Sequence, residues 1–207
     1  MHPPPPHDGP AAILLAAGRS RRFGSDKRKH TLPDGRSMLR STFETFQSVF
    51  DRVRLVLSPR DDGLLRELGV TLRAADEVVI ALDADLGMGR SLAAGFANPP
   101  SRFVFVGLAD MPFVQPATLI RLRDQASDLA DDTILVPVYR GERGHPVGFG
   151  KTWHATMRTL SGDEGARSLT RSANPVLFEV DDPGVLADLD QAPPSRVAQS
   201  SLDRHEP

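Results

Sequence analysis

Short apolar runs alternate along this chain with longer segments whose hydrophobic positions recur at helical spacing. The runs at 11–17, Val53–Leu57, 77–82, Phe103–Leu108, 133–138 and 176–180 are rich in aliphatic, β-branched or aromatic side chains and predict strands. They lack strict polar alternation, so burial on both faces is expected. Between them, residues 37–50 place Leu39, Phe43, Phe46 and Phe50 on one side of a helix behind a serine cap. Residues 116–129 begin with proline, where a helix tolerates it, and put Leu119, Leu122, Ala126 and Leu129 on one face. Repeated strand–helix alternation predicts one α/β domain over residues 11–190, with a mostly parallel sheet covered on both sides. In open sheets of this kind ligands bind at the carboxyl ends of the strands.

The ends of the chain read differently. Residues 1–10 carry four consecutive prolines, which join neither helix nor ladder, so an extended, disordered tail is expected there. Residues 191–207 are polar and proline-bearing and predict a second tail.

Composition narrows the chemistry. Lys and Arg number 25 against 27 Asp and Glu, a formal charge of −2, which excludes a generally basic nucleic-acid binder. The absence of cysteine removes disulfides, thiolate catalysis, Cys-ligated zinc and iron–sulfur clusters. No apolar run approaches the ~20 residues of a membrane span, and no signal-peptide core is visible, so a cytoplasmic protein without membrane partners is expected. The histidines form no closely spaced metal set, and no G-x-S-x-G elbow marks a serine hydrolase.

The loop after the first strand, Leu15-Ala16-Ala17-Gly18 through Lys27, combines small residues with a cluster of cations: Arg19, Arg21, Arg22, Lys27, Arg28 and Lys29. Small residues let backbone approach a ligand, and guanidinium and ammonium groups suit a triphosphate. Such a run is ordinarily a solvated loop; here it follows a buried strand, at the end where the fold places ligands. It is neither a Walker loop nor G-x-G-x-x-G, so the residues alone predict a phosphate-binding loop of unspecified type. Further on, Gly87-Met88-Gly89-Arg90-Ser91 reads as a glycine-rich turn opening a helix whose N–H groups and Ser91 hydroxyl can face a nucleotide, or as a plain helix start. Asp83 and Asp85 just before it can accept ribose hydroxyls or stand as surface acids. Asp110 ends the fourth apolar run, a position suited either to holding Mg²⁺ beside phosphates or to capping the next helix. Asp181 ends the sixth run, with Asp182 beside it as the weaker candidate.

Taken in order, these stretches resemble the nucleotidyltransferases of the NTP-transferase fold, and within them the molybdenum-cofactor cytidylyltransferase branch. Leu15-Ala-Ala-Gly-x-Ser-x-Arg22-Phe-Gly24-x-x-Lys27, Gly87-Met-x-x-Ser91-Leu-x-x-Gly95, Ala109-Asp110-x-Pro112, Gly144-His145-Pro146-Val147 and Gly162-Asp163-x-Gly165-Ala-Arg167 match that branch, and Asp181 resembles the second acid of its closing element. The resemblance implies a three-layer, Rossmann-like nucleotidyltransferase domain. Leu15, Ala16, Ala17, Gly18, Arg22, Lys27, Asp83, Gly87 and Ser91 would then bind the nucleotide, with Arg22, Lys27 and Asp110 catalytic. Asp110 and Asp181 would hold Mg²⁺, and Gly144, His145 and Pro146 would face the acceptor. The implied reaction moves CMP from CTP to a molybdopterin-type acceptor and releases pyrophosphate; a molybdoenzyme receiving the product is the implied partner. Guanylyl or sugar-phosphate nucleotidyl transfer, and a non-catalytic cofactor-handover protein, are the alternatives. The chain departs from the pattern at Arg28-Lys29-His30-Thr31, where the family has leucines, and at Met111, where glutamine is common.

Overall fold

The computed structural model describes residues 9–18, 26–163 and 165–187; Arg19, Arg21, Arg22 and nearly all of both tails lie outside them. The chain runs β1 (Ala11–Leu15), α1 (Met38–Gln47), β2 (Val53–Leu57), α2 (Leu64–Glu67), β3 (Glu77–Ile80), α3 (Met88–Gly95) and β4 (Phe103–Leu108). It continues with α4 (Pro116–Ser127), β5 (Ile134–Tyr139), β6 (Glu142–Arg143), β7 (Val147–Gly150), α5 (His154–Arg158), α6 (Arg167–Ser172) and β8 (Val176–Glu179).

The strands form one sheet in the order β3-β2-β1-β4-β7-β5, with β6 and β8 also pairing to β5. β1 to β4 run parallel to one another, β7 runs against both β4 and β5, and β8 is parallel to β5. Two reversals across β7 restore direction, so β5 and β8 run with β4. The exits of β1, β2, β3, β4, β5 and β8 therefore lie at one edge, together with the entrance to β7.

Alternate residues of β1 serve two cores. Ala12, Leu14 and Ala16 join Leu39, Phe43 and Phe46 of α1 and Leu119 and Leu122 of α4 on one face. Ile13 and Leu15 join Leu92 of α3, Met157 of α5 and, at the rim, Leu169 of α6 on the other. With both faces covered, β1 needs no polar positions, which is why it reads as an unbroken apolar run. The helix starts follow local chemistry: the Ser37 hydroxyl accepts from the Arg40 N–H, and α4 opens on Pro116.

Three sequence expectations change. β3 and β8 are not buried on both faces; each pairs with one neighbour only, and Val78, Ile80, Val176 and Leu177 are exposed. β6 and β7 interrupt the strand–helix rhythm as antiparallel strands. β7, Val-Gly-Phe-Gly, has too few residues and too many glycines to announce itself. The apolar run of β2 also hides a charge. Arg54 is 3% exposed, pairs with Glu77 on β3 and donates to the Gly95 carbonyl at the end of α3 at 2.6 Å. One guanidinium thus joins two strands and satisfies a helix-end carbonyl that lacks a partner within the helix.

Arg54→Met keeps the volume but leaves that carbonyl unmet, so a loss of about 1–3 kcal/mol is expected in urea denaturation. Unchanged stability would show that water replaces the guanidinium.

Candidate active site

The sheet ladder extends one residue beyond three parallel strands and aligns their exits. Ala16 N–H donates to the Val56 carbonyl at 2.9 Å, Ala81 N–H to Leu57 at 2.8 Å and Ala109 N–H to Leu15 at 3.1 Å. The Ala16–Gly18 loop and Asp110 consequently leave adjacent strands side by side. The buried Thr42 hydroxyl supports the second of these from below, lying 3.1 Å from the Ala109 carbonyl and 3.0 Å from that of Met38. Ala16 and Ala17 are buried, Gly18 is exposed and Asp110 is half-buried.

Beyond the loop the chain re-enters at Asp26, which caps the short 3-10 turn Lys27–Lys29. Lys27 is 6% exposed, held against the body of the protein rather than waving in solvent. Its neighbours have other employment. Arg28 is bound to Asp26 and Asp61, and Lys29 pairs with Glu67 at 2.7 Å. Of the six cations counted in the sequence, Arg28 and Lys29 are therefore neutralised within the fold, and Arg19, Arg21 and Arg22 fall outside the described residues. Burial works against both ions of the Arg28–Asp61 pair. Even so, the Arg28 guanidinium and the Ser58 N–H hold the Asp61 carboxyl below its usual range, and Asp26 and Asp61 raise the Arg28 pKa above its ordinary value.

Gly87 and Gly89 have a structural reason that the spacing did not disclose. Gly87 has φ +113°, and a Cβ there would lie 2.4 Å from the Gly162 carbonyl carbon; one on Gly89 would lie 2.7 Å from the Ser161 backbone. The Gly89 N–H donates to the Gly162 carbonyl at 2.8 Å. The glycine-rich turn at the start of α3 is thus pressed backbone to backbone against the 161–163 segment. Ser91 is buried at 5%, while Met88 and Arg90 form the exposed part of this turn. Asp83 is exposed, and Asp85 pairs with Arg60.

The bend between β6 and β7 is wedged from the far side. A Cβ on Gly144 would lie 2.5 Å from the Val185 carbonyl, which accepts from the His145 N–H at 2.8 Å. Gly144 and Pro146 are buried, and the His145–Pro146 bond is cis. The His145 Nδ1 is buried without a hydrogen-bond partner. Burial lowers the His145 pKa, the Val106 carbonyl offsets this in part, and the charge of Arg167 lowers it further.

The two neighbouring acids after β8 separate cleanly. Asp182 is 1% exposed and accepts from the Gln115 N–H at 3.0 Å and the Gly184 N–H at 2.8 Å, so it stitches this segment to the start of α4. Asp181 is exposed at the same edge as Asp110. Met111, the departure noted beside Asp110, is core. Among the described residues no group of three or more His, Asp or Glu side chains is arranged to hold a metal ion. Two edge carboxylates completed by phosphate oxygens and water are nevertheless a donor set that suits Mg²⁺. Among the described residues no helix is long and apolar enough to cross a membrane.

Comparison with known proteins places this arrangement. A family model described as a MobA-like NTP transferase domain matches residues 12–176. The purine catabolism protein PucB of Bacillus subtilis is 29% identical over 189 residues, covering 86% of this chain and 90% of that one. A molybdenum cofactor guanylyltransferase of Desulfosudis oleivorans is 27% identical over 132 residues, 63% of this chain and 59% of its own length. Among solved structures, Rv0371c of Mycobacterium tuberculosis in complex with manganese superposes with a TM-score of 0.65 at 25% identity, covering 83% of this chain and 87% of that one.

Two outcomes are expected. Gly87→Ala should lower stability by about 1–3 kcal/mol through the forced backbone clash, with faster amide exchange in the 87–92 segment. A protein of unchanged stability would mean that the two segments separate at no cost. His145 and His154 both titrate below their ordinary 6.5 because burial disfavours the cation. The unfolded chain gains these protons first as pH falls, so the stability present above 6.5 is lost below it. Melting temperature should therefore fall between about pH 7.5 and 5.5, with a shallower slope in His145→Gln.

Proposed function

The chain belongs to the MobA-like NTP transferase family, and from that premise we propose that it transfers CMP from CTP to a phosphate of a molybdopterin-type acceptor, releasing pyrophosphate. The reading is supported by the sheet topology, which brings the segments carrying Ala16–Gly18, Lys27, Asp110, Asp181 and His145 to one sheet edge. The acceptor phosphate attacks the α-phosphorus in line as pyrophosphate departs, and an already ionised phosphate needs no general base. Such transfers depend on positioning and charge neutralisation more than on covalent catalysis.

In this reading the backbone of Ala16, Ala17 and Gly18 lies along the nucleotide, beside Leu15, with Asp83 toward its ribose and the turn of Gly87 and Ser91 on the nucleotide side. Lys27 and Arg22 neutralise charge building on the pyrophosphate. Asp110 and Asp181 would hold Mg²⁺, which when bound supplies charge neutralisation at the phosphates. Gly144, His145 and Pro146 shape the acceptor side. A chain of this kind works in the cytoplasm and passes its product to a molybdoenzyme. The guanylyltransferase relative supports a second reading in which GTP replaces CTP.

Base choice separates the two. The Ala17 methyl narrows the loop, so CTP should be preferred over GTP by about 10–200-fold in kcat/KM, relaxed in Ala17→Gly. Pyrophosphate release with each of the four NTPs, with and without molybdopterin, measures this; preference for GTP overturns the cytidylyl assignment. Asp110→Asn should remove turnover while the fold persists, and near-normal rates would exclude it as a metal ligand. Lys27→Ala should weaken CTP binding more than CMP binding, whereas equal losses would place Lys27 away from the leaving pyrophosphate.

A further inference from the structure

The Arg28 side chain is only 13% exposed. Its fork of donors is fully committed. Nε and Nη2 each donate to Asp26 at 2.8 Å, and Nη1 and Nη2 donate to the two carboxylate oxygens of Asp61 at 2.8 and 2.7 Å. Nη1 also donates to the Ala16 carbonyl at 2.6 Å. Asp61 is itself anchored at the exit of β2, where it accepts from the Ser58 N–H at 2.8 Å.

The positions of these partners matter more than their number. Ala16 is where the chain leaves β1 for the loop, and Asp26 is where it returns. One guanidinium holds both ends of the loop to each other and to the neighbouring strand exit. We propose that Arg28 is a positioning residue for the nucleotide: a clasp between Ala16, Asp26 and Asp61 that sets the Ala16–Gly18 backbone and Lys27 before any ligand arrives. The inference rests on the reading of this loop as the nucleotide site. Closing the neck of a loop costs conformational entropy, and a clasp formed in the free protein removes that cost from binding. Lysine cannot substitute, since an ammonium has three donors and no planar fork to reach three partners at once.

A clasp acts on the loop and not on any one phosphate, which gives it a distinct signature. If its loss leaves about one molecule in ten with the loop correctly set, every ligand of the loop weakens by the same tenfold. In Arg28→Lys and Arg28→Ala, dissociation constants for CTP and CMP measured by calorimetry below the melting temperature should rise together by about that factor. KM in pyrophosphate release should rise with kcat nearly unchanged, the pattern of interactions shared by ground and transition states. Millimolar guanidinium should restore CTP affinity to Arg28→Ala without affecting the unmodified chain. Asp61→Asn, which keeps the shape of the clasp, should show a smaller rise in the same direction and covers the case in which an Arg28 variant does not fold. A lower melting temperature with unchanged CTP and CMP affinity would reduce Arg28 to a structural ion pair and overturn the proposal. Loss of CTP binding with CMP binding intact would overturn it too, by placing Arg28 on the phosphates. Failure of the unmodified chain to bind any nucleotide would instead overturn the reading of the site, and the clasp with it.

Discussion

The pairing of β1 with β2 on one side and β4 on the other is the constraint from which the rest of the molecule follows. In parallel register Leu15 sits opposite both Val56 and Leu108, so three chains leave the sheet at one level. A parallel sheet must return each strand through a crossover, and those crossovers supply the helices that bury both faces. The exits are left over, gathered at one edge and free of the packing demands that govern the core. Loops carrying Ala17, Asp110 and Asp181 share this edge because strand direction allows them no other.

Charge is handled at that edge by sorting. Arg54, Arg28 and Asp182 are taken into the protein and given hydrogen-bonding partners, as buried charge requires. Arg28 and Asp182 each tie one edge loop to another: Arg28 binds the Asp61 carboxylate beyond β2, and Asp182 accepts from the Gln115 N–H at the start of α4. The loops are thereby spaced by ionic side chains while Asp110 stays half-buried and Asp181 exposed. Hydrogen bonds to charged groups hold geometry better than apolar contact does, which in the proposed reaction suits loops that match a polyanion.

The edge is also tied together through backbone. Contact of Gly87 and Gly89 with the 161–163 segment joins the turn at the start of α3 to the stretch that precedes α6. In the proposed reaction the first lies toward the nucleotide. Direct backbone contact leaves that turn little play, and in-line transfer gains most from fixed geometry.

Periodicity determined much of this protein unaided. Leu39, Phe43 and Phe46 are core in α1, Leu119, Leu122 and Ala126 are core in α4, and β1, β2 and β4 are buried strands, because 3.6- and 2-residue repeats are properties of the local chain. Motif order likewise marked the loops at 15–18, 87–91, 109–112, 144–146 and 181. Nothing local distinguishes the cations of one run, so the sequence presented Arg28 and Lys29 as equals of Lys27. Only folding brings Asp61 and Glu67 to them from beyond α1 and β2. The same holds for the glycines at 87 and 89, whose crowding neighbour lies more than seventy residues on, and for β7, whose pairing with β4 outweighs its weak strand character. The exposure of β3 and β8 follows from their having one neighbour instead of two. A residue's own chemistry and spacing are written in the chain, whereas the partner that neutralises it, crowds it or leaves it exposed is supplied by distant segments.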